Sequence, residues 1–474
     1  MTPEDFRRAG HALIEAIADY REELARGTLP VQATVRPGAI AARLPPSAPE
    51  HGEPAAAVLS DVTALLMPGI THWQHPSFFG YFPANATLSS VLGDLLSSGL
   101  GTLGLSWQSA PALTELETAV VDWMRQLLGL GDAFSGVIQD TASTASLVAL
   151  LCARERTTGY SGAHGGLQSV TSALTVYVSE HAHSSVEKAA VLAGFGRDHV
   201  RAVPTDGAFA LDPVALDAAI ARDRAAGLTP CAVVATTGTT ATTAMDPLAA
   251  IAAITAREGL WLHVDSAMAG SGMLLPELRH HWDGIERADS IIVNAHKWLG
   301  AVFDCSLYYV RDPQHLVRVM STNPSYLRSA VDAEVINYRD WGIPLGRRFR
   351  ALKLWYLLRI EGAEALRARL RRDLDNARWL AAEVAATPDW RLVAPVSLQT
   401  VCVRHEPQGL AGEALDRHTQ DWAARLNASG CAYVTPAKVA GQWMVRVSIG
   451  AETTERAHVG ALWAAMRALA SAGA

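Results

Sequence analysis

The chain has 474 residues, and at roughly 100 to 200 residues per domain this makes two or three packing units with room for a large core. Hydrophobic residues make up 49% and charged residues 18%, a balance that excludes intrinsic disorder and describes an ordinary globular protein. The 40 Lys plus Arg against 47 Asp plus Glu leave a formal charge of -7, and no long basic run tracks a phosphate backbone, which argues against nucleic acid as a partner. The five cysteines (Cys152, Cys231, Cys305, Cys402 and Cys431) are scattered and never form CxxC. This argues against a disulfide framework and a zinc site, and fits buried thiols in a reducing compartment. The N-terminus carries Glu4, Asp5, Arg7 and Arg8 without an apolar run, and the uncharged stretch 95–114 is studded with Ser, Gly and Gln. A cytoplasmic protein without a membrane span is expected.

Residues 2–24 place Phe6, Ala9, Leu13, Ile17, Tyr20 and Leu24 at helical spacing behind Thr2, Pro3, Glu4 and Asp5, which predicts an amphipathic helix. The Pro-rich stretch 30–54 reads as an extended arm, suited either to a partner subunit or to folding back on its own domain. From about residue 88 to 310, short apolar runs at 174–178, 231–235, 260–264, 291–293 and 307–310 alternate with helical segments. That alternation predicts a mostly parallel α/β sheet, whose ligands bind beyond the carboxyl ends of its strands. The segment 157–169 reads as an exposed loop. After Arg347 a long helical pattern begins, and its basic stretch 367–372, interleaved with Asp373 and Asp375, reads as a solvated helix face. Strand-like runs at 399–403, 432–434 and 443–449 suggest a smaller α+β domain. The expected division is an N-terminal helical arm at 1–87, a large domain at 88–354 and a small domain at 355–474.

The run 260–264 ends at Asp265, and the run 291–293 ends at Asn294, followed by His296, Lys297 and Trp298. On adjacent strands, a carboxylate and an amine would meet at one crevice. Pyridoxal phosphate (PLP) needs that pair: a lysine to hold its aldehyde as a Schiff base and an acid to keep its ring nitrogen protonated. Thr141, Ala142 and Ser143 open the helical run to about Arg156, and a helix N-terminus with small hydroxyl residues is a phosphate cradle, although the same residues would serve as an ordinary cap. His183, in the segment Ser-Glu-His-Ala-His-Ser-Ser after the run 174–178, stands where an imidazole would lie over a cofactor ring.

The stretches HWQHPSFFGYFP, LSWQSAPALTELE, SEHAHSSVEKA, WLHVDSAMAGS, NAHKWL and NYRDWGIPLGRRFRALKLW resemble the group II PLP-dependent decarboxylases, and within them the aromatic-L-amino-acid decarboxylases. The resemblance runs from about Ile14 to Trp463. It implies a fold type I PLP enzyme: a homodimer whose N-terminal segment embraces the partner, with a seven-stranded cofactor domain and a small C-terminal domain. It implies that Lys297 binds the aldehyde, Asp265 pairs with the ring nitrogen, and His183 stacks on the ring. Ala142, Ser143 and Asn294 would hold the phosphate, Ala267 would lie under the ring, Thr240 close to it, and His296 on the substrate side. Tyr326, in STNPSYLRSAVD, would return the proton to the substrate α-carbon. Trp73, Phe79, Tyr81, Phe82 and Pro83, with Leu103 and Leu105 from the other subunit, would wall an apolar pocket for an aromatic amino acid substrate.

Relatives that form aldehydes with oxygen carry Phe at that tyrosine or Asn at the stacking histidine. Tyr326 and His183 therefore favour simple decarboxylation to an arylalkylamine and carbon dioxide. The alternatives are oxidative aldehyde formation, decarboxylation of a non-aromatic amino acid, and a homologue that kept the fold and lost catalysis. Ser266, Ala267 and Met268 stand where animal relatives of that family have two alanines and a tyrosine, and Ala295, Ala84 and Leu105 also depart from common family residues; these changes reshape the pocket and remove no catalytic group.

Overall fold

A computed structural model describes residues 1–322, 331, 332 and 334–472. The chain opens with α1 (Pro3–Arg26), started by a reciprocal cap in which the Thr2 hydroxyl accepts the Asp5 N–H and the Asp5 carboxylate accepts the Thr2 N–H. After α2 (Ala55–Asp61), α3 (Leu88–Leu100) and α4 (Pro111–Leu128), strands and helices alternate. In order these are β1 (Ser135–Gln139), α5 (Ala142–Thr157), β2 (Leu174–Ser179), α6 (Ser184–Leu192), β3 (Val200–Val203), α7 (Pro213–Ala225), β4 (Thr229–Thr236), α8 (Leu248–Glu258), β5 (Trp261–Asp265), β6 (Ser290–Asn294) and β7 (Ser306–Val310). Then follow α9 (Pro313–Met320), α10 (Ala351–Ile360), α11 (Gly362–Ala386), β8 (Trp390–Leu392), β9 (Thr400–His405), α12 (Gly412–Ala428), β10 (Thr435–Val439), β11 (Gln442–Ser448) and α13 (Arg456–Ser471).

The contacts divide the chain into two units. One comprises Met1–Pro83, Arg378–Leu392 and Val403–Ala474, the other Ala84–Ala377 and Val393–Cys402. These boundaries differ from the three-part division expected from sequence because the N-terminal segment bonds to C-terminal backbone: Val31 N–H donates to Gly430 O, Phe79 N–H to Tyr433 O, and Ser448 N–H to Phe79 O.

The second unit is built on a seven-stranded sheet in the order β1-β7-β6-β5-β4-β2-β3. Strands β6, β5, β4, β2 and β3 run parallel, and β7 is antiparallel to both β1 and β6. Its central strands are apolar on both faces, as a sheet covered by helices on both sides requires. Val176, Val233, Val234, Ile291, Ile292 and Val293 are all fully buried, and α5 packs beneath them through Ala145, Val148, Ala149 and Cys152. Strands β8 to β11 form a four-stranded sheet in the order β10-β11-β9-β8.

Several expectations shift. β1 carries only Val137 and Ile138 as large apolar residues, and β3 is a half-buried edge strand, so neither shows a full apolar run. The run 432–434 is not a strand. The Asn427 side chain takes both backbone groups of Val434, donating to its carbonyl and accepting its N–H, and the ladder begins only at Thr435. The segment 157–169 is exposed over much of its length, as expected, and carries short 3-10 turns around a buried Ser161. Asp373, read as part of a solvated face, is completely buried.

Candidate active site

Strand order decides which sequence-distant residues meet. Because β6, β5, β4 and β2 are parallel neighbours, their carboxyl ends line one edge, and with them stand Asn294 and Lys297, Asp265, Thr240, and His183. β7 is antiparallel to β6 and to β1, so β1 points the same way as β6 and delivers the start of α5 to that same edge. The amino end of the reversed β7 joins the two: the Ser306 hydroxyl donates to Asn294 Oδ1 at 2.6 Å and to the Asp140 carbonyl at 3.3 Å.

Asp265 is buried at the end of β5, its Oδ1 accepting the Ala267 N–H at 3.0 Å. Beneath Ala267, the Ser266 and Thr237 hydroxyls bond to each other, and the Trp282 indole N–H donates to both at 3.1 and 3.0 Å. His183 is the N-cap of α6. Its Nδ1 accepts the Ser185 N–H at 3.1 Å and meets the Ser185 hydroxyl at 2.7 Å. That fixes the ring plane and leaves the proton of the neutral imidazole on Nε2. Burial lowers the His183 pKa, the Asp265 carboxylate opposes this, and the Lys297 ammonium reinforces it. Carboxylate and amine thus both act on the imidazole at this one edge of the sheet.

Lys297 is half-buried in a five-residue turn, Ala295–Leu299, and its own φ of -102° and ψ of -114° break the helical run there. His296 beside it is buried. Its pKa falls to about 4, chiefly through desolvation and next through the charge of Lys297. His263 lies two residues before Asp265, on the same face of β5. It is also desolvated to about 4, with Nδ1 against the Ser290 hydroxyl at 2.9 Å.

The structure brings together Lys297, Asp265, His183, Asn294, Ala267 and His296 in the second unit. At the start of α5, Ala142 is half-buried, Ser143 is exposed, and the Thr141 side chain makes no capping hydrogen bond, so the first N–H groups of the helix are not tied up by it. Thr240 is exposed in the turn after β4, and Leu103 is exposed before α4, with Leu105 half-buried. Trp73, Tyr81, Phe82 and Pro83 belong to the first unit. There Trp73 stacks on Tyr81 with centroids 5.4 Å apart, Tyr81 accepts the Tyr433 hydroxyl proton at 3.2 Å, and Arg446 lies 4.9 Å over Phe82. Tyr81 takes a left-handed φ of 48°, held by its N–H to the Thr435 hydroxyl and its carbonyl to Arg446. Phe79 is completely buried in the core of the first unit. Tyr326 lies outside the described residues.

Sequence reasoning missed Ser306, Trp282 and His263. His263 had a signal, the period-2 spacing to Asp265. Ser306 and Trp282 had none, because their partners are fixed by strand order.

The residues present fit PLP: an amine for the aldehyde, a carboxylate for the ring nitrogen, a flat neutral imidazole, and a helix start open to a phosphate. A mostly parallel α/β sheet with these groups at its carboxyl edge defines the class of PLP enzymes. Comparison with known proteins narrows it. Residues 37–406 match the pyridoxal-dependent decarboxylase conserved domain. A phenylacetaldehyde synthase of Arabidopsis thaliana is 40% identical over 98% of this chain and 95% of its own, and a tyrosine decarboxylase of Papaver somniferum is 38% identical over 98% and 94%. The crystal structure of an Oryza sativa TDC with PLP and tryptamine superposes with a TM-score of 0.96 at 35% identity, over 100% of this chain and 99% of that one. The chain belongs to the pyridoxal-dependent decarboxylase family and is a PLP-dependent carboxy-lyase. Among the described residues no helix is long and apolar enough to cross a membrane.

Proposed function

We propose that this enzyme decarboxylates an aromatic L-amino acid to the corresponding arylalkylamine and carbon dioxide. The observation that carries the reading is the convergence of Lys297, Asp265 and His183 on one crevice. The tyrosine decarboxylase relative and the tryptamine held by the rice structure support the aromatic class.

PLP, when bound, supplies an aldehyde that takes an amine and a ring that accepts the electron pair left as carbon dioxide departs. Lys297 binds the aldehyde through Nζ. Asp265, rigid through its bond to the Ala267 N–H, holds a proton on the ring nitrogen. His183 offers a flat, uncharged face because Ser185 occupies its Nδ1. The first N–H groups of α5, at Ala142 and Ser143, together with Asn294, bind the phosphate, and Ser306 orients the Asn294 carboxamide. Ala267 and Thr240 border the ring. His296 presents an Nε2–H donor on the substrate side. Trp73, Tyr81, Phe82 and Pro83, with Leu103 and Leu105 from the other subunit, bind the substrate side chain, and the Tyr326 hydroxyl moves the proton to the α-carbon.

The enzyme works as a homodimer in the cytoplasm. Support for the dimer comes from α3, whose Leu88, Leu92, Leu95, Leu96 and Leu100 are each at least 40% exposed at helical spacing. Support for the compartment comes from the five cysteines, all of them free.

The identity to a phenylacetaldehyde synthase favours one second reading, oxidative aldehyde formation. Purified enzyme loaded with PLP should release carbon dioxide and amine from tryptophan, tyrosine or phenylalanine without peroxide or ammonia. Peroxide, ammonia and aldehyde in place of amine would establish the second reading, and turnover of aspartate alone would overturn the aromatic class.

A further inference from the structure

The turn that carries Lys297 cannot satisfy its own backbone. With the helical run broken at Lys297, the carbonyls of residues 297–300 need partners from elsewhere in the second unit. The Asn85 side-chain amide donates to the Lys297 carbonyl at 3.5 Å, and the Thr87 N–H and hydroxyl both donate to the Gly300 carbonyl at 3.1 Å. The Arg369 guanidinium donates to the Trp298 carbonyl at 2.9 Å and also to that of Leu299. One helical turn further along α11, Asp373 Oδ2 accepts the indole N–H of Trp298 at 2.9 Å. Trp298 and Asp373 are both completely buried. Gly300 closes the turn at φ 103°, and a Cβ there would stand 2.8 Å from the Arg369 guanidinium, so only glycine lets the arginine reach the carbonyls.

A buried carboxylate with one hydrogen bond from a neutral indole is a costly way to hold a tryptophan. Its other oxygen makes no hydrogen bond among the described residues, the Arg372 guanidinium stands 3.6 Å away, and burial raises its pKa to about 7 against the opposing charges of Arg372 and Arg369. A leucine would fill the space more cheaply. What the pair adds is direction: the indole can sit in one orientation only, and the residue before it in the chain is Lys297.

We propose that Arg369 and Asp373 are positioning residues that, through Trp298 and its carbonyl, aim the Lys297 amine at the aldehyde of PLP. The proposal rests on reading Lys297 as the attachment lysine. In the attachment, the Nζ lone pair adds to the aldehyde carbon, a C=N bond forms and one water leaves.

The test uses the full chain freed of cofactor and mixed with pyridoxal 5′-phosphate, following the attachment by stopped-flow absorbance. Asp373→Leu and Trp298→Phe should attach the cofactor at least ~10-fold more slowly at an unchanged melting temperature, while Asp373→Asn, which keeps an acceptor for the indole, should stay within ~3-fold of the parent. Attachment at the parental rate in Asp373→Leu, with or without a lower melting temperature, would overturn the proposal; should that variant fail to fold, the same rate in Trp298→Phe decides. Borohydride reduction of the loaded parent, followed by peptide mass analysis, tests the underlying reading separately. A label on the Lys297 peptide supports it, and a label on another lysine overturns that reading and the proposal together.

Discussion

His296 and Cys305 are tied by two backbone-mediated bonds: the Cys305 N–H donates to His296 Nδ1 at 2.9 Å, and the His296 N–H donates to the Cys305 carbonyl at 3.2 Å. An Nδ1 that accepts leaves the proton of the neutral ring on Nε2, and desolvation keeps the ring neutral down to about pH 4. The profile of kcat/KM against pH should therefore show no limb from His296 between pH 5.5 and 8. Nitrogen-15 NMR should find its Nδ1 unprotonated throughout that range, and titration of this ring between pH 6 and 7 would contradict the assignment.

Lys297→Ala should abolish turnover, since Lys297 is the lysine of β6 and of the turn that follows it. Asp265→Asn should keep the fold and lower kcat by about 10²–10³-fold, because an amide cannot hold the ring nitrogen protonated. Steady-state kinetics on both variants check this, and parental kcat in either would remove that residue from its role.

Tyr326→Phe should suppress amine formation and favour aldehyde. Product analysis with peroxide and ammonia assays reads the outcome; amine at the parental rate would assign the protonation to another acid.

Glu117 and Arg347 form a buried bidentate pair at 2.6 and 3.1 Å, and they also take the N–H and carbonyl of Ile138 in β1. Glu117→Gln leaves the guanidinium buried without its counter-charge and should cost about 3–5 kcal/mol, whereas Glu117→Leu combined with Arg347→Met should cost less than the two single changes summed. Urea unfolding of the parent, Glu117→Gln, the two single changes Glu117→Leu and Arg347→Met, and the double variant gives the comparison.

Acid stability follows from opposed groups. His75, His263 and His296 sit at about 4 in the fold against an ordinary value of 6.5. The unfolded chain therefore binds their protons first, and the stability they confer is complete above 6.5 and lost as pH falls toward 4. Asp246 and Asp373, raised by burial to about 7 from 3.8, act the other way, losing their contribution as pH rises through 7. His263→Gln removes one of the histidine contributions and should flatten the dependence of unfolding free energy on pH by about 1 kcal/mol per unit between pH 4.5 and 6.5. Denaturant unfolding at pH 5, 6 and 7 measures it, and an unchanged slope would place the His263 pKa near its ordinary value.

What the sequence determined by itself is local. The apolar runs that became β2, β4, β5, β6 and β7 are visible in their residues, and where each run stops, Asp265 and Asn294 mark the end of a strand. The capping pattern of Thr2 and Asp5 likewise starts α1 where it should, since a cap acts within one helical turn. Tertiary structure decided everything that depends on neighbours distant in the chain. The order β6-β5-β4-β2 put Lys297, Asp265 and His183 on one crevice, and the reversed β7 carried Ser306 to Asn294. Asp373 shows the difference most plainly. Its charged neighbours on α11 have the pattern of a solvated face, yet it is buried against Trp298. Charge spacing along one helix records what that helix can offer, while burial depends on which surface arrives to cover it, and that surface lies 75 residues away in the chain.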